Sequence, residues 1–171
     1  AGRRAGLIGT VHYDLGGEIV PADRTTPTPL RLQELLTQMK QNNVEIVIME
    51  VSSHALVQGR MGAMAFDAAV FCNQTPEHLD YHQTMEQYYQ AKKLLLTDHL
   101  KPDAVAVVNT DDHFGQRLIE ELECRTVTFG TAESADIRLI ESDLTITGSR
   151  VLLSDGFAMT PLIGAYNLEN V

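Results

Sequence analysis

Two cysteines, Cys72 and Cys124, are all that the 171 residues contain, and they form no CxxC pair. That argues against a disulfide framework or a zinc knuckle. Positive charge is also scarce: 13 Lys and Arg stand against 23 Asp and Glu, a formal charge of −10. A nucleic-acid phosphate binder needs a basic footprint, so this balance argues against that class. No apolar run approaches the ~18 residues of a membrane span, and no signal peptide opens the chain. Internal repeats and low-complexity segments are missing as well.

What is present is an ordinary globular composition, 44% hydrophobic and 21% charged, which excludes disordered and fibrous classes. A chain of this length fits one domain able to bury roughly 70% of its unfolded surface. A soluble, cytoplasmic domain is expected. The chain opens Ala1-Gly2-Arg3-Arg4 without methionine and closes at Asn170-Val171 in what reads as a helix start. A section of a longer protein is therefore expected.

Short apolar runs rich in β-branched residues recur, each followed by a polar cluster and a helical pattern. Residues 44–50, 67–73 and 104–109 are three such runs. Near-continuous apolarity is the mark of a strand covered on both faces, as in a parallel sheet flanked by helices. Residues 30–42 read as a helix with Leu32, Leu35, Leu36 and Met39 on one stripe. Residues 84–99 and 114–122 read as two more, with Pro102 beyond the end of the first of these. From Ala135 the pattern alternates: residues 136–140, 144–147 and 150–153, with turns at Gly148-Ser149 and Asp155-Gly156, predict a small antiparallel meander. The expected class is α/β, a mostly parallel sheet flanked by helices plus that meander.

Open α/β sheets bind ligands beyond the carboxyl ends of their strands. Those ends deliver Glu50-Val51-Ser52-Ser53-His54, then residues 73–82 with His78, Asp80 and His82, then Asn109-Thr110-Asp111-Asp112-His113. Each cluster also has a purely structural explanation. Ser52 and Ser53 suit helix N-caps, and Asp111-Asp112 a cap or turn. Lys92 and Lys93 suit a solvated helix face, and a short His/Asp string is weak grounds for a ligand set. Taken together, the three clusters suggest an enzyme site with a hard or borderline divalent metal.

The run Met49-Glu50-Val51-Ser52-Ser53-His54-Ala55-Leu56, with Gln58 and Arg60 behind it, resembles the signature of the Mur ligases. The resemblance extends through Gly9-Thr10-Val11, Thr25-Thr26-Pro27, Phe66-Asp67, His78-Leu79-Asp80-Tyr81-His82 and Tyr89-Gln90-Ala91-Lys92. It ends at residues 164–171, Gly-Ala-Tyr-Asn-Leu-Glu-Asn-Val. The similarity is greatest to the branch that adds the third amino acid to the cell-wall precursor. It implies ATP-dependent amide-bond formation: a substrate carboxylate takes the γ-phosphoryl group as an acyl phosphate, and an incoming amine displaces phosphate. By the resemblance, Glu50, His78 and Lys92 are metal ligands and catalytic residues for Mg²⁺, with Lys92 carbamylated. An oxygen donor suits Mg²⁺, and an N-carboxylated lysine is such a donor, while histidine is a less usual ligand for so hard an ion. Formation of the carbamate needs a neutral amine, so Lys92 is expected to be partly desolvated or charge-coupled. Thr25, Thr26, Ser52, Gln58 and Arg60 are implied to hold the UDP-muramoyl dipeptide, since hydroxyls and an arginine fork suit pyrophosphate, sugar and carboxylate oxygens. Asn167 and Asn170 are implied to lie near the adenine of ATP. Arg24 departs from the pattern, standing where some members carry asparagine.

The family's phosphate-binding loop ends Gly-Lys-Thr, and no Gly-Lys-Ser or Gly-Lys-Thr occurs in the 171 residues. The resemblance therefore implies a central, ATPase-type domain over 1–171, truncated at both ends. It would lack its first strand and phosphate loop, and the N-terminal and C-terminal domains of the same protein. This stretch alone is expected to be inactive as a ligase and to expose a sheet edge. The competing readings are a sister ligase such as folylpolyglutamate synthase or another Mur ligase, a metal-dependent hydrolase built on His78, Asp80 and His82, and a non-catalytic binding module. The identity of the added amino acid, lysine or diaminopimelate, is not written in these residues.

Overall fold

A computed structural model of the chain describes residues 2–164 and 167. They group into two compact units. The first comprises residues up to Met64 with Gln90–Leu95; the second comprises Ala65–Tyr89 and the residues from Leu96 onward. The α/β class holds, but with two separate sheets.

In the first unit, β1 (Ala5–Ile8), β2 (His12–Asp14), β3 (Ile19–Pro21) and β4 (Ile46–Met49) form a sheet in the order β3-β2-β1-β4. β1 and β4 run parallel, with Ile8 opposite Met49, and β2 and β3 add an antiparallel flank. The helix α1 (Pro29–Gln41) begins with a proline at its first turn, where the missing N–H costs nothing. Leu32, Leu35 and Met39 are buried along its stripe, and Met39 lies against Gly6 of β1. The helix ends in a Schellman arrangement. Asn43 takes the left-handed conformation (φ 57°), its N–H bonds Lys40 O, and Val44 N–H reaches Met39 O.

β4 differs from its expectation. Its apolar run predicts burial on both faces, yet Ile46, Val47 and Ile48 are 41%, 39% and 58% exposed. Apolarity shows what a strand could bury; position decides what it does bury, and β4 is an edge of this sheet. The short α2 (Ser53–Val57) follows it.

In the second unit the order is β10-β9-β8-β7-β6-β5, built from β5 (Phe66–Phe71), β6 (Leu100–Asn109), β7 (Arg125–Gly130), β8 (Ile137–Thr145), β9 (Gly148–Leu153) and β10 (Gly156–Thr160). β5, β6 and β7 are parallel; β8, β9 and β10 form the expected antiparallel meander. The meander is not detached. The first residues of β8 pair parallel with β7, Ile137 opposite Phe129, so one long strand joins both halves. The hairpin turns fall at residues 146–147 and 154–155, slightly ahead of the predicted positions. Pro102 lies beyond the end of the preceding helix, as expected, and sits inside β6, where the pairing with β5 is interrupted. A proline lacks the donor a ladder needs and is tolerated at such a break.

The helices α3 (Leu79–His82), α4 (Met85–Thr97) and α5 (His113–Glu121) complete the unit, α4 contributing its middle turns to the first. Ala104, Ala106 and Val108 alternate inward on β6 and Leu118 of α5 is fully buried. Tyr89 is also fully buried. Its ring stacks on Phe114 at 5.3 Å, lies under the Arg117 guanidinium at 4.4 Å, and its hydroxyl donates to Glu121 at 2.6 Å. Arg117 in turn bonds Glu86 and Glu121. Burial first, then the Glu121 carboxylate, raises the Tyr89 hydroxyl's pKa, so it stays a donor. Neither Cys72 nor Cys124 is in a disulfide. No helix among the described residues is long and apolar enough to cross a membrane.

Two predictions follow from this architecture. The 171-residue chain by itself should self-associate with concentration in sedimentation, and Ile48→Lys, placing a charge on the exposed edge, should suppress it; a monomer at all concentrations would refute the edge as a contact. Acid should unfold the chain through three carboxylates. Asp14 is lowered by the Gly17 and Gly16 amides, Asp23 by the Tyr13 hydroxyl, and Asp136 by the amide and hydroxyl of Thr128. A folded carboxyl below its unfolded value of about 3.9 adds stability above that pH, lost as pH falls through the folded value. Urea midpoints should therefore be flat from pH 7 to about 5 and fall below about 4, with Asp136→Asn flattening part of the fall.

Candidate functional site

The carboxyl ends of β1 and β4 lie side by side, and the turns that leave them meet. Glu50 follows β4, and its N–H donates to Ile8 O at 2.9 Å. Its carboxylate accepts from Thr10, which follows β1, through the amide at 3.2 Å and the hydroxyl at 2.5 Å. The Thr10 hydroxyl also lies 3.1 Å from that of Thr25. Gly9 permits this arrangement, since a Cβ there would come within 3.0 Å of Glu50 Oε1. The result is an exposed cluster of one carboxylate and two hydroxyls. All of its donors are oxygen, the chemistry a hard divalent cation prefers, so these residues fit Mg²⁺.

Beneath the cluster, Thr26 is 1% exposed. Its hydroxyl donates to Glu50 O at 3.0 Å and accepts from Ser52 N at 2.9 Å, while its carbonyl accepts from Arg60 Nη1 at 3.0 Å. Thr26, expected among the ligand-holding groups, is a buried latch whose hydroxyl both donates and accepts within the protein. Ser52 caps α2, its Oγ accepting from Ala55 N at 3.3 Å, so the structural reading of this serine holds. Arg60 Nη2 donates to Gln58 Oε1 at 2.5 Å, which fixes the guanidinium. Its other N–H groups suit a carboxylate or phosphate fork. Lys92, in the middle turns of α4, is half-buried rather than solvated, and so is Lys93.

In the second unit the strand ends carry a different set. Asp112 caps α5 through Gly115 N at 2.9 Å and holds Gln74 N, beyond β5, with its other oxygen at 2.9 Å. Asp111 accepts from the amide and hydroxyl of Thr131, beyond β7. Both aspartates thus tie loops together. Gly115 permits the α5 approach, because a Cβ there would lie 2.0 Å from Asn109 O. His78 caps α3 in the left-handed conformation (φ 56°), exposed, its ring edge-on to Tyr88 at 6.0 Å. A non-glycine residue held there costs about 1 kcal/mol or more, a strain common at functional positions. His82 is buried and stacked on Tyr88 at 5.1 Å, away from the metal-ligand role of the hydrolase alternative. Among the described residues no group of three His, Cys, Asp or Glu is placed to hold a metal, so that reading loses its ligand set. Asn167 Nδ2 donates to Ile163 O at 2.9 Å; Asn170 lies outside the described residues.

The family model of the Mur ligase middle domain matches residues 2–171. The chain belongs to the Mur ligase family. The UDP-N-acetylmuramoyl-L-alanyl-D-glutamate–2,6-diaminopimelate ligase of Geobacter sulfurreducens is 38% identical over the whole chain, which covers 35% of that protein. The like-named ligase of Geobacillus kaustophilus is 42% identical over 99% of the chain and 37% of its own length. A solved structure of a ligase of this name superposes with a TM-score of 0.78 at 29% identity, covering 98% of this chain and 36% of that one. An FPGS–AMPPCP complex shares the fold with a TM-score of 0.64 at 15% identity, covering 99% of this chain and 50% of that one. The chain therefore spans about a third of the length of the curated Mur ligase relatives it matches.

Thr10 and Gly9 had no assigned role in the sequence reading, because β1 is too short to signal where its carboxyl end falls. Thr26 supplies the test of this Mur ligase cluster. Thr26→Val keeps the shape but leaves Ser52 N and Glu50 O without their partner. It should cost about 2 kcal/mol in urea unfolding, while Thr26→Ser should cost less than about 1. Equal losses for the two variants would refute the latch.

Proposed function

We propose that the chain is the central part of an ATP-dependent amide-bond ligase. It would extend UDP-N-acetylmuramoyl-L-alanyl-D-glutamate by its third amino acid, in the cytoplasm. The observation that carries this is the Glu50–Thr10–Thr25 oxygen cluster at the ends of two parallel strands, in a chain of the Mur ligase family. The names of the relatives support 2,6-diaminopimelate as the incoming amine.

In this reading Glu50, His78 and a carbamylated Lys92 would hold Mg²⁺, an assignment that follows the family pattern. Bound there, the ion would offset negative charge gathering on the phosphoryl group. Lys92 is half-buried on α4, and a carbamate there would replace its cation with the anionic oxygen donor that Mg²⁺ prefers. Thr10 holds the Glu50 carboxylate in one orientation, so little reorganisation accompanies the reaction. Arg60, braced by Gln58 and the Thr26 carbonyl, is proposed with Thr25 and Ser52 to grip the anionic and sugar oxygens of the muramoyl dipeptide. The substrate carboxylate oxygen attacks the γ-phosphorus and ADP leaves. The amine nitrogen then attacks the acyl carbon, phosphate leaves, and the amine gives up its proton. Asn167 and Asn170 are proposed beside the adenine. The phosphate loop, and the domains that grip uridine and the amino acid, would come from the rest of the protein.

The test is ATP-dependent phosphate release by the full-length protein with the UDP-muramoyl dipeptide and either diaminopimelate or lysine. Turnover with diaminopimelate is expected, with Glu50→Gln lowering it at least about 100-fold. The 171-residue stretch alone should be silent. No turnover with either amine, or robust turnover by the isolated stretch, would overturn the proposal.

A further inference from the structure

Between the end of β5 and the start of α4 runs the segment that presents His78. It contains one helical turn, α3, bracketed by two non-glycine residues with positive φ, His78 at 56° and Gln83 at 63°. Such backbone persists only where its surroundings over-determine it. Gln74, the residue before the segment, is 5% exposed and bonded on two sides. Its N–H donates to the Asp112 carboxylate at 2.9 Å, and its side-chain Nε2 donates to the carbonyl of Met85, the first residue of α4, at 2.9 Å. The side chain thus closes the ten-residue segment at its two ends, while the backbone amide of the same residue ties it to the α5 cap.

The same side chain is poorly chosen for stability. Its Oε1 is buried with no hydrogen-bond partner. Turning the amide over would set that oxygen against the Met85 carbonyl, so the Nε2 bond dictates the orientation. A buried acceptor without a partner is a cost, and an apolar residue of similar shape at such a site is near neutral or stabilising. Packing alone would favour methionine or leucine here.

From this we infer that Gln74 is a positioning residue: it clamps the segment 75–84 so that His78 is presented in one place. The inference rests on the proposed reading of His78 as a metal ligand. Outer-shell groups that orient a ligand govern affinity more than fold.

The experiment compares the full-length protein with Gln74→Met, which fills the space without a donor, and Gln74→Glu, which replaces the donor by an acceptor. Three readouts are taken: thermal melting, amide hydrogen exchange, and Mn²⁺ affinity by paramagnetic resonance. The clamp predicts that Gln74→Met melts at or above the parent temperature while amides in 75–84 exchange at least ~10-fold faster and Mn²⁺ binds roughly 10-fold more weakly. Gln74→Glu should show the same loosening, because the bond to Met85 O is lost in both. Unchanged exchange in 75–84, or a Gln74→Met protein that fails to fold or melts well below the parent, would place Gln74 in the framework and overturn the inference. His78→Ala is the control for the underlying reading. Unchanged Mn²⁺ affinity there would sink the metal assignment of His78, whereas the exchange result judges the clamp independently.

Discussion

The buried hydroxyl of Thr26 joins its own turn to the one that leaves β4. It accepts from the Ser52 amide and donates to the Glu50 carbonyl, fixing the backbone on either side of Val51. The acidic group, the start of α2 and, through the Thr26 carbonyl, the Arg60 guanidinium all take their places from this one residue. A hydroxyl can do this because it donates and accepts at once, and its burial removes water as a competitor for both bonds. The exposed chemistry of the first unit therefore stands on an interaction that never touches solvent.

The second unit is organised differently, by carboxylates used as ties. Asp111 and Asp112 stand where an α/β ligand site would be sought, yet their oxygens are spent on Thr131, Gly115 and Gln74. Each such bond joins the loop after β6 to a neighbouring loop or caps α5, and together they hold the strand ends in register. Acidic residues at strand ends are thus not interchangeable. Glu50 keeps an exposed carboxylate beside two hydroxyls, whereas the aspartates are absorbed into the framework.

Much of this was legible beforehand. The stripe Leu32, Leu35 and Met39 and the apolar run of β6 state their elements through side-chain period and formed within a few residues of their expected places. After Ala135 the meander formed with the segments expected at residues 136–140 and 144–147 merged into the one strand β8. The strands β1, β2 and β3 were not legible, because three or four residues are too few to establish a period. The tie between Tyr89, Glu121, Arg117 and Glu86 was equally hidden, as it joins residues up to 35 positions apart.

By itself, then, the sequence determined the α/β class, the principal helices and strands, and the motifs that mark the family, since those depend on local period and on residue identity. Only the tertiary structure decided which polar residues are buried and bonded and which stay exposed. Thr26 and Glu50 lie 24 positions apart and Gln74 and Asp112 lie 38 apart. Whether a hydroxyl or carboxylate is exposed or already bonded depends on that meeting of distant segments. A hydrogen-bonding group carries the same letter in either state, and only its surroundings reveal whether its capacity is spent.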